Sequence, residues 1–224
     1  MPSYGLPVDV VRRLPIFRRS FEQVELYRTA WTTANEAAQA GDGPLWVVLG
    51  DSAAQGVGAS AHDMGYVGIV LARLRATGAP WRVVNLSRSG ARTREVVDVQ
   101  WPLARELGAD LLTAVIGGND ALRTKEAEWT RAVRDLCAAL PAGAVVSTTA
   151  QGVFERKTRR VNAVLTVAAA EHGQHVADVW AHTGPPYRGL YADGFHPNDA
   201  GYVQWADALW EAVADIHGDA SGPA

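Results

Sequence analysis

Short apolar runs alternate along the chain with longer segments in which apolar residues recur at helical spacing. The apolar runs are predicted strands at 45–50, 81–87, 111–118, 144–149 and 175–180. Helices are predicted at 65–77, 93–107, 126–140, 158–172 and 198–216. Strands that alternate with helices form parallel sheets, because each helix carries the chain back for a right-handed crossover. The pattern therefore predicts an α/β domain with a five-stranded parallel sheet covered by helices on both faces.

The first 40 residues stand outside this alternation. A segment over residues 1–15 is predicted to lie extended because it is interrupted by Pro2, Gly5, Pro7 and Pro15. A helix is then predicted over 20–40, with Ser20 as its cap and an apolar stripe formed by Phe21, Val24, Tyr27 and Trp31. We therefore divide the chain into an N-terminal extension, 1–40, whose helix packs on the domain, and the domain itself, 41–224. A helix that binds a partner or lies on a membrane surface is the alternative.

Composition narrows the classes of function. The 224 residues carry 21 Lys and Arg against 24 Asp and Glu, a net charge of −3, and 48% of them are hydrophobic. This is the composition of a globular protein, and it lacks the basic field of a nucleic-acid-binding protein. Neither a membrane span nor an apolar secretion signal is indicated. With Cys137 as its single cysteine, the chain is predicted to be cytoplasmic, without stable membrane insertion and with its oligomeric state left open.

Polar residues follow the predicted strands at the point where each strand ends. Ser52 follows the first strand, Gly90 the second and Asn119 the third. Asp193 and His196 lie in the long loop before the last helix. Ligands of open parallel sheets bind outside the carboxyl ends of the strands. We therefore expect these five residues to meet at one edge of the sheet.

The same residues have the chemistry needed for nucleophilic catalysis. A serine hydroxyl needs a base within hydrogen-bond reach, and the base needs a partner that orients it. Asp193 can bind Nδ1 of His196 within one tight loop, which leaves Nε2 to face Ser52. The N–H groups of Ser52 and Gly90 and the side-chain amide of Asn119 are three donors for a tetrahedral oxyanion. A helix cap is the alternative role for Ser52, and a turn role the alternative for Asp193.

Four short blocks in this order resemble the SGNH hydrolases, also called GDSL-type esterases and lipases. The blocks lie between residue 45 and about residue 210 and are Gly50-Asp51-Ser52, Gly90, Gly117-Gly118-Asn119-Asp120, and Asp193 with His196. The resemblance implies a flavodoxin-like three-layer α/β/α sandwich and ester hydrolysis through an acyl-serine intermediate. It implies the catalytic roles of nucleophile for Ser52, base and then acid for His196, and orienting residue for Asp193. It also implies an oxyanion hole formed by Ser52, Gly90 and Asn119.

The function predicted on this basis is a serine esterase acting on small-molecule carboxylic esters. Short-chain acyl or acetyl esters come first, including those of carbohydrates, and a lysophospholipase or thioesterase is the alternative. Ala53 replaces the leucine of the family name and leaves the floor of the pocket undefined. A nucleotide-binding α/β protein is a weaker alternative, because the glycine-rich segment 56–61 comes late after its strand. No cofactor and no metal are expected, since His172 and His175 are best explained as a solvated pair.

Other side chains near the predicted site have structural interpretations. Asp51 and Asp120 are expected to hold their own turns, and Cys137 is expected to be a small buried apolar group. Five cations are expected to be solvated loop charges, with contact to an anionic substrate as the alternative: Arg88, Arg92, Arg94, Arg123 and Lys125. Five aromatic residues are candidates for either pocket wall or core: Tyr66, Trp101, Phe154, Trp180 and Phe195.

Overall fold

The computed structural model of the protein describes residues 15–152 and 154–217. The strands are β1 (Leu45–Gly50), β2 (Arg82–Asn85), β3 (Leu111–Val115), β4 (Val145–Ser147) and β5 (His175–Ala177). They form one parallel sheet in the order β2-β1-β3-β4-β5, which confirms the predicted sheet. The direction of winding reverses between β1 and β3, so the carboxyl ends of these two strands border the crevice where such sheets bind ligands.

Helices cover both faces of the sheet. They are α1 (Pro15–Ala40), α2 (Tyr66–Ala76), α3 (Thr93–Glu95), α4 (Trp101–Ala104), α5 (Gly118–Arg123), α6 (Glu126–Ala139), α7 (Glu155–Glu171), α8 (Val179–His182) and α9 (Asp199–His217). A π-helical stretch, Val96–Gln100, joins α3 to α4. Helices α6 and α7 pack on one face and α2 and α9 on the other, which is the predicted three-layer sandwich. Within the described ranges, none of the helices combines the length and apolar character needed to traverse a bilayer.

The central strands supply both layers of the core. Successive side chains of a strand point to opposite faces. Val47 and Leu49 of β1 accordingly pack with α6 and α7, whereas Trp46 and Val48 pack with α2 and α9. Every residue of β1 and β3 is buried. Because each large apolar side chain stabilises the fold by roughly 1.5–3 kcal/mol when buried, these strands form a firm platform for the loops at their carboxyl ends.

β1 has its predicted bounds, whereas the other four strands end two or three residues earlier than predicted. β3 ends at Val115, and Gly117, with a φ of 130°, then turns the chain into α5. A Cβ at Gly117 would lie 2.1 Å from the Oγ1 atom of Thr149, so this turn requires glycine. The short helices α5 and α8 were not predicted, because segments of four to six residues are too short to show a period. The helix predicted over 93–107 is present as α3, the π-helical stretch and α4.

Helix α1 differs from its prediction in two respects. It begins at Pro15, so the prediction that Ser20 caps this helix is wrong. Over residues 19–40, where the side chains are described, the buried positions of this helix are Ser20, Gln23, Tyr27 and Trp31. The predicted apolar stripe therefore holds for its last two members, whereas Phe21 and Val24 are only partly buried and two polar residues take the inward positions. The predicted extended segment lies outside the described residues, except for Pro15, which belongs to α1.

Helix α1 packs along the edge of the sheet next to β2. The side-chain amide of Asn35 donates to the carbonyl of Asn85 at 2.9 Å and accepts from its N–H at 2.8 Å. The guanidinium of Arg82 donates to the carbonyls of Ala38 and Gly41 at the end of the helix. Because these contacts satisfy backbone groups of both elements, they fix α1 on the edge strand.

Candidate active site

Ser52 lies in the turn that follows β1, and neighbouring side chains hold this turn in place. The amide of Gln100 pairs with both the N–H and the carbonyl of Gly50, each at 2.8 Å. Oδ1 of Asp51 accepts the N–H of Ala53 at 2.9 Å, which confirms the predicted turn role of Asp51. A Cβ at Gly50 would lie 2.5 Å from the carbonyl oxygen of Val115, so the close approach of β1 to β3 requires glycine here.

The serine, the histidine and the aspartate form a continuous chain of contacts. Oγ of Ser52 lies 3.0 Å from Nε2 of His196, and Nδ1 of His196 lies 2.7 Å from Oδ2 of Asp193. Ser52 and Asp193 are both buried, and His196 is mostly buried. These distances fit the tautomer in which Nδ1–H donates to the carboxylate and Nε2 accepts from the hydroxyl. The arrangement is the one that a base needs in order to take the serine proton.

Asp193 is held by donors on both carboxylate oxygens. Oδ1 accepts the backbone N–H groups of Phe195 and His196, at 3.0 and 2.7 Å. Oδ2 accepts the hydroxyl of Ser20 in addition to Nδ1 of His196. Burial is the largest single influence on the pKa of Asp193 and would raise it, but the hydrogen bonds and charge of His196, together with the Ser20 hydroxyl, hold that pKa well below its usual range. The carboxylate therefore stays ionised beside the imidazole.

Asn119 contacts the two segments that carry Ser52 and Gly90, the other predicted donors of the oxyanion hole. Its Nδ2 atom lies 3.2 Å from Oδ2 of Asp51, the residue before Ser52, and 3.1 Å from the carbonyl of Ala91, the residue after Gly90. Asn119 is buried, whereas Gly90 is exposed, has a φ of 83°, and has open space where a Cβ would stand. The three candidate donors thus belong to adjoining segments. Both N–H groups of the Asn119 amide have acceptors within the protein.

A cavity of about 300 Å³ opens beside Ser52 and His196. Its lining is mostly apolar and includes Val115, Ile116, Tyr187, Tyr191, Phe195 and Trp205. Of the aromatic residues considered from the sequence, Phe195 lines the cavity, Tyr66 is part of the core and Phe154 is exposed. Trp101 packs against the core, and the ring of Trp180 lies under the guanidinium of Arg159. The two tyrosines and Trp205 in the cavity wall were missed, because aromatic residues in a loop and in a helix give no sequence signal for a shared cavity.

The structure bears on several of the predicted structural roles. Cys137 is fully buried, as predicted, and burial raises the pKa of its thiol to about 11. Asp120 does not hold its own turn in the way predicted, since it accepts from the N–H and hydroxyl of Thr93 and from the hydroxyl of Thr124. It thereby joins the start of α3 to α5. His172 and His175 are exposed. Among the described residues, no three His, Cys, Asp or Glu side chains are grouped to hold a metal ion.

The five cations around the Gly90 and Asn119 blocks are all exposed: Arg88, Arg92, Arg94, Arg123 and Lys125. Arg94 pairs with Asp98 and Asp135, which are also on the surface. None of the five is among the residues that line the 300 Å³ cavity. These positions agree with solvated loop charges, and such exposed pairs contribute little to stability.

The glycine-rich segment 56–61 forms turns that pack against the loop carrying His196. A Cβ at Gly58, whose φ is 100°, would lie 2.3 Å from the carbonyl oxygen of Pro197 and 2.9 Å from Cβ of His196. The N–H of Gly58 and the carbonyl of Ala59 are bonded to the side chain of Gln23. The glycines of this segment therefore permit close backbone packing against the loop that carries His196.

The fold and this arrangement of side chains define a class of protein, the SGNH-type hydrolases. The model of the GDSL-like lipase/acylhydrolase family matches residues 48–204. The chain belongs to this family, and the resemblance seen in its sequence is confirmed. It is a serine esterase, a carboxylic ester hydrolase whose substrates are small-molecule esters.

Solved structures share this fold. TesA is 24% identical, with a TM-score of 0.67 over 77% of this chain and 99% of TesA. LAE5, an α/β hydrolase from the metagenome of Lake Arreo in Spain, is 21% identical, with a TM-score of 0.65 over 79% of this chain and 98% of LAE5. Axe2, an acetylxylan esterase from Geobacillus stearothermophilus, is 22% identical, with a TM-score of 0.61 over 78% of this chain and 96% of Axe2. No curated protein matches the chain.

Proposed function

We propose that Ser52 is the nucleophile of this hydrolase, His196 its base and then its acid, and Asp193 the residue that orients His196. The observation that supports these roles is the chain of contacts from the Ser52 hydroxyl through the imidazole to the carboxylate, at 3.0 and 2.7 Å. The cavity opens at the hydroxyl end of this chain, where an acyl group can approach. Asp193 keeps its charge, so it stabilises the imidazolium that forms during each proton transfer.

The reaction follows two mirrored steps. His196 takes the proton of Ser52 as the serine oxygen forms a bond to the acyl carbon, which gives a tetrahedral oxyanion. The carbon–oxygen bond to the alcohol then breaks, and His196 gives the proton to the departing alcohol. Water attacks the acyl-serine with His196 again as base, and the carboxylic acid leaves as the Ser52 hydroxyl is restored.

The oxyanion is stabilised in this proposal by the N–H of Ser52, the N–H of Gly90 and the amide of Asn119. Gly90 is suited to this role because no side chain blocks the approach of substrate. Asn119 contacts Asp51 and Ala91 in the free protein, so it donates to the oxyanion by exchanging one of these two contacts. The exchange is local, because both acceptors adjoin the other two donors.

Short-chain acyl or acetyl esters are the proposed substrates, with esters of carbohydrates among them. A cavity of about 300 Å³ is at the small end of the range for ligand pockets, and its apolar lining suits an acyl group. The shared fold with Axe2, an acetylxylan esterase, is in line with this choice. A lysophospholipase or thioesterase is the second candidate, because the same lining is compatible with a longer chain.

The remaining assignments complete the proposal. Residues 41–224 are the hydrolase domain, since they contain the whole family match, and 1–40 are an N-terminal extension. No cofactor or metal takes part, because serine, histidine and carboxylate supply the nucleophile and all proton transfers. The net charge of −3 and the single cysteine favour a cytoplasmic protein that does not bind nucleic acid.

Replacement of the nucleophile tests the proposal directly. In Ser52→Ala, we expect the hydrolysis of p-nitrophenyl acetate to fall to background, because no other hydroxyl contacts Nε2 of His196 among the described residues. A fluorophosphonate probe should modify Ser52 in the wild-type protein, as read by mass spectrometry of the labelled peptide.

The exposed Ser60 provides the matched control. Ser60→Ala should keep wild-type turnover and labelling, and both variants should unfold at the wild-type temperature or close to it. Turnover retained by Ser52→Ala, or a label on another residue, would refute the assignment of the nucleophile.

A further inference from the structure

Helix α1 reaches the catalytic loop although it lies outside the segment that matches the family. The hydroxyl of Ser20 donates to Oδ2 of Asp193 at 2.5 Å, across 173 residues of chain. Both residues are buried, with 6% and 3% of their surface exposed. Nδ1 of His196 contacts the same carboxylate oxygen at 2.7 Å.

We infer that Ser20 is a positioning residue, whose hydroxyl holds the Asp193 carboxylate in the orientation that receives Nδ1–H of His196. The inference rests on the roles of Asp193 and His196 in the proposed function. It adds to that function a contribution from the N-terminal extension.

The origin of the four donors to Asp193 supports this role. Three of them, the N–H of Phe195 and the N–H and Nδ1–H of His196, belong to the loop of Asp193 itself. They move with the loop and cannot fix it against the body of the protein. The Ser20 hydroxyl comes from another element. A hydrogen bond to a charged group is about twice as strong as one between neutral groups, so this contact is well suited to anchor the carboxylate.

The next turns of α1 support the other side of the same loop. Gln23 accepts the N–H of Gly58 at 2.9 Å and donates to the carbonyl of Ala59 at 2.8 Å. The hydroxyl of Tyr27 donates to the same carbonyl at 2.9 Å. Gly58 in turn packs against the Cβ atom of His196. Helix α1 therefore contacts Asp193 directly and His196 through one intervening segment, which explains why polar side chains occupy its inward positions.

The first test separates positioning from stability. Ser20→Ala removes only the hydroxyl, and we expect kcat for p-nitrophenyl acetate to fall about 10-fold with KM unchanged, because a misoriented imidazole slows chemistry rather than binding. Ser20→Thr keeps a hydroxyl and should restore most of kcat. Thr29→Ala removes a hydroxyl from the exposed face of the same helix and should behave as wild type. Unfolding temperatures are recorded for each variant, and kcat is measured well below them.

A double-mutant cycle tests whether Ser20 acts through the carboxylate. The rate at which a fluorophosphonate labels Ser52 is compared in Ser20→Ala, Asp193→Ala and the double variant. We expect Ser20→Ala to slow labelling about 10-fold in the wild-type background and to have no further effect once Asp193 is replaced.

Two results would overturn the inference. One is an equal slowing by Ser20→Ala in both backgrounds, which would mean that the change acts through the packing of α1. The other is wild-type kcat in Ser20→Ala. If Ser52→Ala is inactive at the same time, either result refutes the role of Ser20 and leaves the proposed function standing, whereas turnover by Ser52→Ala would refute that function itself.

Discussion

At the scale of single residues, Asp51 connects the chemistry of the site to the stability of the fold. It is buried between the turn of Ser52 and the amide of Asn119. Burial raises the pKa of Asp51 from 3.8 to about 6, although the N–H of Ala53, the charge of His196 and the amide of Asn119 act in the opposite direction. Between these two values the folded state holds the proton more tightly than the unfolded state. The contribution of Asp51 to the free energy of unfolding is therefore highest at a pH below 3.8 and declines as the pH rises through about 6.

Asp51→Asn should remove this titration. The quantity to follow is the free energy of unfolding of the variant minus that of wild type. We expect this difference to increase by up to about 3 kcal/mol as the pH rises from about 4 to about 6.5, and to be constant below and above this range. Urea denaturation at a series of pH values measures this difference. Its change with pH is the readout, since the new amide also alters the contact with Asn119 by a constant amount. A difference that does not vary over this range would contradict the raised pKa.

Asn119→Ala should lower kcat by ~10²–10³, because one donor to the oxyanion is lost. KM should change little, since the donor acts on charge that develops after binding. Steady-state kinetics with p-nitrophenyl acetate measures both constants. Asn35→Ala is the control, as it removes a part-buried amide contact between α1 and β2 and should leave kcat unchanged. An increase in KM alone would place Asn119 in substrate binding instead.

At the scale of elements, the site depends on the packing of one turn against another. Gly58 has a positive φ and touches the loop of His196 and Pro197, whereas Gly78 has nearly the same φ, 97°, and nothing within 4 Å of its Cβ position. Replacement of either glycine by alanine therefore strains the backbone to a similar degree, but only at Gly58 would the added Cβ also clash with neighbouring atoms. They offer a matched pair for testing whether the turn positions the histidine.

Gly58→Ala should reduce kcat/KM and lower the unfolding temperature, because its Cβ would displace the backbone that carries His196. Gly78→Ala should lower the unfolding temperature modestly and leave kcat/KM unchanged. Kinetics and thermal unfolding of both variants distinguish strain alone from displacement of the loop. Equal kinetic constants in the two variants would show that this packing has no influence on the histidine.

The elements also show which parts of the site a sequence can predict. Ser52 and Asn119 closely follow the carboxyl ends of the neighbouring strands β1 and β3, so the parallel sheet alone brings their segments to one edge. The contact between Ser52 and His196 was predicted because each residue lies in a short block of recognisable chemistry. The contacts of Ser20 and Gln100 were missed. Ser20 was predicted to cap α1, and Gln100 is a polar residue in a predicted helix, which is expected to face solvent. Their partners, Asp193 and Gly50, lie 173 and 50 residues away, and only the packing of α1 and of the π-helical stretch brings them together.

At the scale of the whole molecule, the cavity sets the range of acyl groups. Each methylene buried in it contributes roughly 0.8 kcal/mol, or about fourfold in kcat/KM, until the space is filled. With about 300 Å³ enclosed by Tyr187, Tyr191 and Trp205, we expect kcat/KM for p-nitrophenyl esters to be highest among short chains, acetyl to hexanoyl, and to decline toward palmitoyl. A continued rise to palmitoyl would favour the lysophospholipase or thioesterase alternative.

At the edge strand β2, one side chain takes the place of a neighbouring strand in hydrogen bonding. The amide of Asn35 pairs with the N–H and the carbonyl of Asn85 as a neighbouring backbone would. Another copy of the chain therefore finds no vacant pairing groups at this residue of β2, and the growth of the sheet from one molecule into the next is hindered there. The helix that carries Asn35 thus protects this point of the sheet from pairing with a second molecule.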